Sequence, residues 1–210
     1  MGNPLGVFLG GPEVAERDRQ RVAADLGFAE TVFVDDPRRG EIRIFTPAAE
    51  VPFAGHPVVG TAWLLARTSG EVAVLRPPAG EVRVREADGL TFAVGRPEWA
   101  PDWDFVELAS PDDVEALDGP PQRSDAVEAW AWIDEKAGSV RARVFAPRFG
   151  IAEDEATGSA ALTLASRLGR RLDIRQGAGS RILARPLADG MVEIGGRVEL
   201  DELRQHDPGS

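Results

Sequence analysis

Two short stretches of the chain combine glycine, a polar side chain that could do chemistry, and the start of an apolar helix. The first is Gly55-His56-Pro57, followed by an apolar run to Ala66, and the second is Thr157-Gly158-Ser159, followed by an apolar run to Ala165. A helix N-terminus presents unpaired backbone N–H groups and about half a positive charge. Glycine there allows an anion to approach the backbone closely. The pair therefore predicts a site for a small carboxylate-bearing molecule between two helix N-termini.

Each motif also has an ordinary structural explanation. Small and hydroxyl residues are common at helix N-caps and where helices pack tightly, and for either motif alone this explanation is favoured. The motif occurs twice, with a histidine and acidic residues beside it, and this repetition favours the interpretation as a site.

Three side chains are candidates for transferring a proton or for stabilising charge on a substrate. His56 could act as a general acid or base or donate a hydrogen bond to a substrate oxygen, and the alternative is a capping or core histidine. Asp154 lies just before the second motif. It could take part in the chemistry of the site, or it could only complement the dipole at the helix N-terminus, and spacing favours neither explanation. Glu30 starts a predicted strand, and its local pattern indicates only an acid facing solvent at a strand end.

Composition excludes several classes of function. The 210 residues carry a formal net charge of −11, which argues against a nucleic-acid partner because phosphate binding needs basic stripes. No apolar run approaches the roughly 20 residues that span a bilayer, and the N-terminus lacks the order of a signal peptide, so we expect a cytoplasmic protein without a membrane partner. The chain has no Cys and two His (His56 and His206), so thiol catalysis is excluded and no metal is expected.

The surroundings of the two motifs repeat as well. Residues 43–47 read RIFTP and residues 143–147 read RVFAP, in each case ahead of a loop and an apolar helix. Strands, helix and a meander of short strands occur in this order twice. The chain is therefore predicted to be α+β, with two pseudo-symmetric halves, each a curved, mostly antiparallel sheet around a central helix. We place the halves at residues 1–98 and 99–210 and allow the last strand to return to the first half.

Hydrophobic periodicity and turn residues place the individual elements. Pro57 fits the first turn of a helix, Gly27 fits a helix C-cap, and loops are expected over 47–52 and 149–154. Helices are predicted over 13–26, 58–67, 111–117 and 157–168, and strands over 5–9, 28–34, 41–46, 71–76, 80–86, 90–94, 127–133, 139–145, 172–175, 181–186 and 191–200.

Longer stretches around the motifs resemble a known family. IRIFTPAAEVPFAGHPVVGTAWLLA is similar to the first signature of the PhzF family, the phenazine-biosynthesis-like isomerases, and FGIAEDEATGSAALTLA is similar to its second. Gly2-Asn3-Pro4 and FAETVFV (residues 28–34) extend the resemblance over nearly the whole chain.

The resemblance implies a diaminopimelate-epimerase-like fold with the site in the cleft between the halves. It implies an isomerase or epimerase that needs no cofactor and shifts a proton on a small carboxylate-bearing substrate. Carried over by position, Glu30 matches the acid/base of the family, and His56, Asp154 and Ser159 match its companions. Gly55 and Gly158, with the N–H groups that follow them, would hold the substrate carboxylate, and Asn3 and Thr157 complete the binding set. The two-thiol mechanism of relatives that share this fold is excluded because Cys is absent.

The sequence departs from the family pattern in three places. The family has a strand before Gly-Asn-Pro, which is missing here, so we expect an exposed sheet edge that favours pairing in a homodimer. Little of the family's further strand structure is expected between Trp103 and Val127, and Glu155 stands where proline is common. The first two departures put stability, oligomeric form and activity in doubt.

Two other functions compete with catalysis. A truncated, non-catalytic binder of a small anionic metabolite would keep the helix N-termini but not turn substrate over. An interaction protein would use the open edge strand. The sequence does not identify the physiological substrate, because the pocket walls fall in the unmatched segment 97–126.

Overall fold

The computed structural model describes residues 2–70, 72–121 and 123–204. Within these residues the chain forms fourteen β-strands and four α-helices. His206 lies outside the described residues, and so does Glu71, the first residue of one predicted strand. In the described part of the chain, none of the helices has the length and apolar character needed to span a bilayer.

The elements alternate between strands and helices along the whole chain. The helices are α1 (Glu16–Leu26), α2 (Gly55–Thr68), α3 (Pro111–Glu115) and α4 (Gly158–Leu168). The strands are β1 (Leu5–Phe8), β2 (Glu30–Asp36), β3 (Glu41–Phe45), β4 (Glu50–Val51), β5 (Val74–Leu75), β6 (Val82–Ala87), β7 (Leu90–Gly95), β8 (Asp104–Glu107), β9 (Val127–Asp134), β10 (Ser139–Ala146), β11 (Ile151–Asp154), β12 (Leu172–Gln176), β13 (Ser180–Pro186) and β14 (Val192–Gly196).

The strands form two sheets. The smaller has the order β1-β2-β3-β4, with β1 parallel to β2 and the other pairs antiparallel. The larger has ten strands in the order β5-β6-β7-β14-β13-β12-β10-β9-β8, with β11 attached to β10. Its pairs are antiparallel except β10 with β12 and β8 with β9. Hydrogen bonds from Ile42 N to the Arg76 carbonyl and from Arg76 N to the Gly40 carbonyl link the two sheets.

Two apolar helices are buried in the core. Helix α2 packs against β2 of the smaller sheet and against β6, β7 and β14 of the larger one, whereas α4 packs on β13 and β14. Val58 and Leu65 of α2 and Leu162 of α4 are all fully buried in the same cluster. Burying such aliphatic side chains is the main favourable term in folding, about 1.5–3 kcal/mol for each.

Helices α2 and α4 meet at their N-termini. A Cβ atom built on Gly158 would lie 2.7 Å from Gly55 Cα and 2.9 Å from His56 N. Since real Cβ atoms do not approach backbone this closely, the contact requires glycine at both positions. The two glycines of the sequence motifs are therefore the point at which the two helices touch.

The structure confirms the α+β class and corrects several details. The predicted loop over 149–154 contains β11, because Val144 and Ala146 of β10 offer backbone partners to this segment. Asp104–Glu107 forms β8, a strand that the sequence did not predict, alongside β9. Helix α2 begins at Gly55, so Pro57 is not its first residue, whereas Gly27 caps α1 in the left-handed region as expected.

The expected boundary at residue 98 stays a prediction. Strand β14 pairs with β7 along Val192–Gly196, so a late strand lies beside an early one. Within the described residues, β1 has β2 as its one strand neighbour.

A buried carboxyl group lies in the larger sheet. Glu128 of β9 pairs with Val144 of β10 and with Phe105 of β8, and its residue is fully buried. Among the described residues, neither carboxyl oxygen has a hydrogen-bond partner. Burial raises the pKa of Glu128 to about 8. The group is therefore neutral near neutral pH, and its burial without a hydrogen bond lowers the stability of the fold.

Replacing Gly158 by alanine is expected to destabilise the fold. The new Cβ would push against the backbone of Gly55 and His56, and such overpacking costs about 1–3 kcal/mol. Urea unfolding of G158A measures the loss. The matched control is G119A, since nothing lies within 4 Å of a Cβ at that position. Equal stability of the two variants would contradict the proposed close contact.

Replacing Glu128 by leucine is expected to raise the free energy of unfolding by about 1–3 kcal/mol, because an unpartnered polar group leaves the core. The unfolded chain loses its Glu128 proton near pH 4.5, whereas the folded chain keeps it to about pH 8. Wild-type stability therefore falls by up to about 1.4 kcal/mol per pH unit between these values. The gain should be larger at pH 7 than at pH 5 in urea unfolding.

The control for this change is E193L. The Glu193 residue is also buried, at 6% exposure, but its carboxylate accepts hydrogen bonds from Arg85 and Arg185, so the same substitution should not stabilise the protein. An E128L variant less stable than wild type at both pH values would contradict the assignment of an unsatisfied carboxyl group.

Candidate active site

Asp154 lies at the end of β11 and is held by hydrogen bonds on both carboxylate oxygens. The Asn3 amide Nδ2 donates to Oδ1 at 2.7 Å, and the Thr157 hydroxyl donates to Oδ2 at 2.5 Å. Asn3 Nδ2 also contacts the Ala156 carbonyl oxygen at 3.2 Å. Asp154 is therefore a buried carboxylate fixed between the N-terminal segment and the turn before α4.

Glu30 is the first residue of β2 and lies against the first residues of α2. Its Oε2 atom is 3.2 Å from His56 Nδ1, and the two side chains are only 12% and 15% exposed. Asn3 Nδ2 approaches the same Nδ1 at 3.4 Å, so one asparagine contacts both His56 and Asp154. The structure thus brings together Asn3, Glu30, His56 and Asp154, which are far apart in sequence.

Burial gives Glu30 and His56 unusual proton affinities. The pKa of Glu30 is raised well above its ordinary value, first by burial and then by the negative charge of Asp154. Burial lowers the pKa of His56 to about 4, although Asp154 and a backbone hydrogen bond with Pro4 partly offset this effect. The contact between the two side chains lies within ion-pair distance, but these shifts favour a neutral carboxyl beside a neutral imidazole. Within the part of the chain that the structure describes, Glu30 Oε2 has no hydrogen-bond partner, so the two side chains are in contact without a formed hydrogen bond.

The N-termini of α2 and α4 are not capped by side chains. Among the described residues, no side chain at the N-cap positions Ala54 and Thr157 accepts a hydrogen bond from the first turn, and neither first turn contains an acidic residue. The Thr157 hydroxyl is committed to Asp154, although threonine at this position would usually cap the helix. The first-turn N–H groups of both helices are thus left without side-chain acceptors, which favours an anion there.

A cavity of about 370 Å³ opens beside these groups. Four aromatic rings form much of its wall, in two pairs: Phe53 with Trp99 at 5.6 Å between centroids, and Trp103 with Phe149 at 6.0 Å. The polar residues that line it are Glu30, Thr46, Glu98, Asp154, Thr157 and Ser159. An aromatic cavity lined by three carboxyl residues and by residues at a helix N-terminus suits a small ring or amino acid.

The expected site residues fall into two sets. Glu30, Asp154, Thr157 and Ser159 line the cavity of about 370 Å³. The rest are not among its lining residues: His56 lies behind Glu30, Gly55 and Gly158 pack on each other, and Asn3 lines a second cavity of about 310 Å³ that shares Ile151 and Asp154 with the first. In the described part of the chain, no group of three His, Asp or Glu side chains could hold a metal ion. The absence of a cofactor stays a prediction.

Sequence reasoning missed one buried polar residue at the site. Gln176 of β12 is 1% exposed, and its side-chain amide contacts Asp154 and Thr157. The signal was present, because Gln176 continues the alternation of the buried residues Leu172 and Ile174 along the strand. A polar side chain in phase with buried aliphatic residues indicates a specific partner.

Comparisons with known proteins identify the family of the chain. The family model for phenazine biosynthesis-like proteins matches residues 1–96 and 98–194. The trans-2,3-dihydro-3-hydroxyanthranilate isomerase of Pseudomonas fluorescens is 32% identical over 225 aligned positions, which cover 87% of this chain and 80% of that protein.

Solved structures show the same fold. A phenazine biosynthesis protein of the PhzF family from Bacillus anthracis superposes with a TM-score of 0.74 at 21% identity, covering 94% of this chain and 91% of that one. A protein described as a predicted epimerase from Pseudomonas aeruginosa gives a TM-score of 0.70 at 23% identity, with coverage of 93% and 90%.

The family model covers nearly all of the chain, and the curated relative supports it over most of its length. This chain therefore belongs to the phenazine biosynthesis-like protein family and is an enzyme of the isomerase class.

Proposed function

We propose that the protein is a cofactor-independent isomerase or epimerase that moves a proton on a small carboxylate-bearing substrate, with Glu30 as the acid/base. The observation that carries this proposal is the Glu30 carboxyl group. It is buried at the wall of an aromatic cavity, next to the anion of Asp154, and its pKa is raised. A carboxyl group in this environment takes up and returns a proton near neutral pH.

The proposed step moves one proton between two carbon atoms. The Glu30 carboxylate takes a proton from a substrate carbon, and the electron pair of that C–H bond is delocalised over the substrate. The neutral Glu30 acid then returns the proton to another carbon, or to the other face of the same carbon in an epimerase. No redox partner or second substrate is needed, since the proton count is unchanged.

The groups around Glu30 would bind the substrate and stabilise the charge that develops on it. The N–H groups at Gly55 and Gly158 are proposed to bind the substrate carboxylate, and the buried Ser159 hydroxyl at the cavity wall is proposed to donate a hydrogen bond. A neutral His56 would donate or accept a hydrogen bond at Nδ1 and stay uncharged. Asn3 and Thr157 complete the proposed set, and their contacts support a role in holding Asp154.

The Pseudomonas fluorescens relative supplies the first compound to test. It is named for trans-2,3-dihydro-3-hydroxyanthranilate, a ring that carries a carboxylate. We propose a substrate of this class, because the cavity pairs aromatic walls with uncapped helix N-termini. A homodimer in the cytoplasm remains part of the proposal, with the edge strand β1 as the place where a second copy would pair.

Replacing Glu30 by glutamine is expected to abolish proton exchange. General acid/base catalysis by a positioned side chain contributes about 10²–10⁴-fold, and glutamine cannot take up the proton. The measurement is incorporation of deuterium from heavy water into trans-2,3-dihydro-3-hydroxyanthranilate and a panel of small carboxylates, followed by NMR.

The matched control is E98Q, which makes the same change at another acidic residue lining the cavity. E98Q should retain exchange, because Glu98 is not in contact with His56 or Asp154. Undiminished exchange in E30Q would remove Glu30 from the mechanism. Saturable binding without exchange for every bound compound would favour the non-catalytic binder instead.

Replacing Asp154 by asparagine is expected to move the pH dependence of exchange. Glu30 must be ionised to accept a proton, so activity should rise with pH through the raised pKa of Glu30. Removing the charge of Asp154 lowers that pKa, and the rising limb should move to lower pH. The readout is the pH at which the exchange rate reaches half of its maximum, and the value of that maximum does not matter for the test.

E153Q provides the comparison for D154N. Glu153 is the neighbouring acid, but it is paired with Arg143 and does not contribute to the shift of Glu30. Its limb should stay at the wild-type position. A D154N limb that stays in place or moves to higher pH would contradict the electrostatic coupling of Asp154 and Glu30.

A further inference from the structure

Gln176 is a polar side chain in a position that otherwise takes aliphatic residues. It ends β12, pairs with Ala142 of β10 and Ser180 of β13, and is 1% exposed. An amide buried in this way costs free energy unless its donors and acceptor are all used. It does not line the cavity of about 370 Å³, so contact with a substrate does not account for it.

All hydrogen bonds of the Gln176 side chain go to the turn before α4. Nε2 donates to the Asp154 carbonyl oxygen at 2.7 Å and to the Thr157 hydroxyl at 2.9 Å, and Oε1 accepts from the Thr157 N–H at 3.2 Å. A backbone N–H can only donate and a backbone carbonyl can only accept, so the amide has one possible orientation. Both donors of the amide and its acceptor are satisfied.

This orientation fixes the direction of the next hydrogen bond. The Thr157 hydroxyl accepts from Gln176 Nε2, so its single proton is free to donate elsewhere. It donates to Asp154 Oδ2 at 2.5 Å, while Asn3 donates to Oδ1 at 2.7 Å. Both oxygens of Asp154 are thereby acceptors, and the carboxylate is held as an anion.

The Thr157 hydroxyl, which is bonded to Gln176 and Asp154, does not cap α4. A threonine at the N-cap would usually accept a hydrogen bond from the first turn. Here the hydroxyl oxygen receives the Gln176 donor, and no side chain caps α4. The first-turn N–H groups stay available for an anionic ligand as a result.

We propose that Gln176 is a positioning residue, which sets the Thr157 hydroxyl as a donor to Asp154 and so fixes the Asp154 carboxylate beside Glu30 and the N-terminus of α4. The inference deepens the proposed function and rests on it for its catalytic meaning. Gln176 acts through Thr157 and touches no reacting atom. Its effect on the protonation of Glu30 exists without substrate and can be measured alone.

The test follows the titration of Glu30 in substrate-free protein. Carboxyl carbons of Asp and Glu are labelled with ¹³C, and the Glu30 signal is assigned by its disappearance in E30Q. In Q176L the Thr157 hydroxyl loses its fixed partner, the anion of Asp154 is less well held, and the Glu30 midpoint should move to lower pH. The shift should not exceed that of D154N, which removes the charge of Asp154 altogether.

Three further variants separate positioning from mere stability. T157V removes the hydroxyl that donates to Asp154 without changing Gln176, and it should move the Glu30 midpoint in the same direction as Q176L. It carries the test where Q176L does not fold. T157S keeps the hydroxyl and should restore the wild-type midpoint. I174V removes one methylene from the neighbouring buried residue of β12 and should lower stability without moving the titration.

The outcomes separate this inference from the proposed function. An unchanged Glu30 midpoint in both Q176L and T157V overturns the role of Gln176, even where E30Q abolishes exchange. A shifted midpoint in a protein that exchanges no substrate proton keeps the role of Gln176 and removes the proposed function. Where exchange is found, the pH–rate limb of Q176L should move to lower pH together with the titration.

Discussion

The contact between Gly55 and Gly158 is the constraint on which the site depends. A side chain at either position would meet the backbone of the other helix at less than 3 Å, so the two N-termini can meet only as bare backbone. Each helix brings about half a positive charge to this point, and like charges at close range repel. Neither helix has an acidic residue in its first turn to offset this charge. The anion of Asp154 supplies part of the compensation, and an anionic ligand would supply more.

Three buried carboxyl groups show how environment decides protonation. Asp154 accepts hydrogen bonds on both oxygens and is favoured as an anion. Glu128 has no hydrogen-bond partner among the described residues, and burial alone raises its pKa to about 8. Glu30 lies between these cases, because it is buried but contacts His56 and faces the charge of Asp154. Only Glu30 combines a raised pKa with a place on the cavity wall near an anion, which is the combination an acid/base needs.

Sequence patterns predicted the fold class and most elements, because periodicity and turn residues are local. They placed both buried helices and found the glycine motifs, since the same motif occurs twice. They did not find β8 or β11, whose strand character comes from backbone partners on β9 and β10. Glu30 had no local signal, and only the family resemblance singled it out. Its environment is made by His56 and Asp154, which lie 26 and 124 residues further along the chain. The sequence shows the alternation of buried residues that ends at Gln176, but it does not show that the Gln176 side chain binds the turn before α4.

The turn from Asp154 to Thr157 connects these features. Without the Gln176 amide, the Thr157 hydroxyl would be free to cap α4, as threonine commonly does. The hydroxyl proton that Asp154 accepts would then lose its fixed direction, and the helix would lose the uncapped N-terminus that favours an anion. One buried amide therefore serves both requirements of the proposed chemistry, a place for the substrate carboxylate and a fixed charge that raises the proton affinity of Glu30. A polar side chain in the core of β12 is explained by this pair of effects, since packing alone would favour another aliphatic residue.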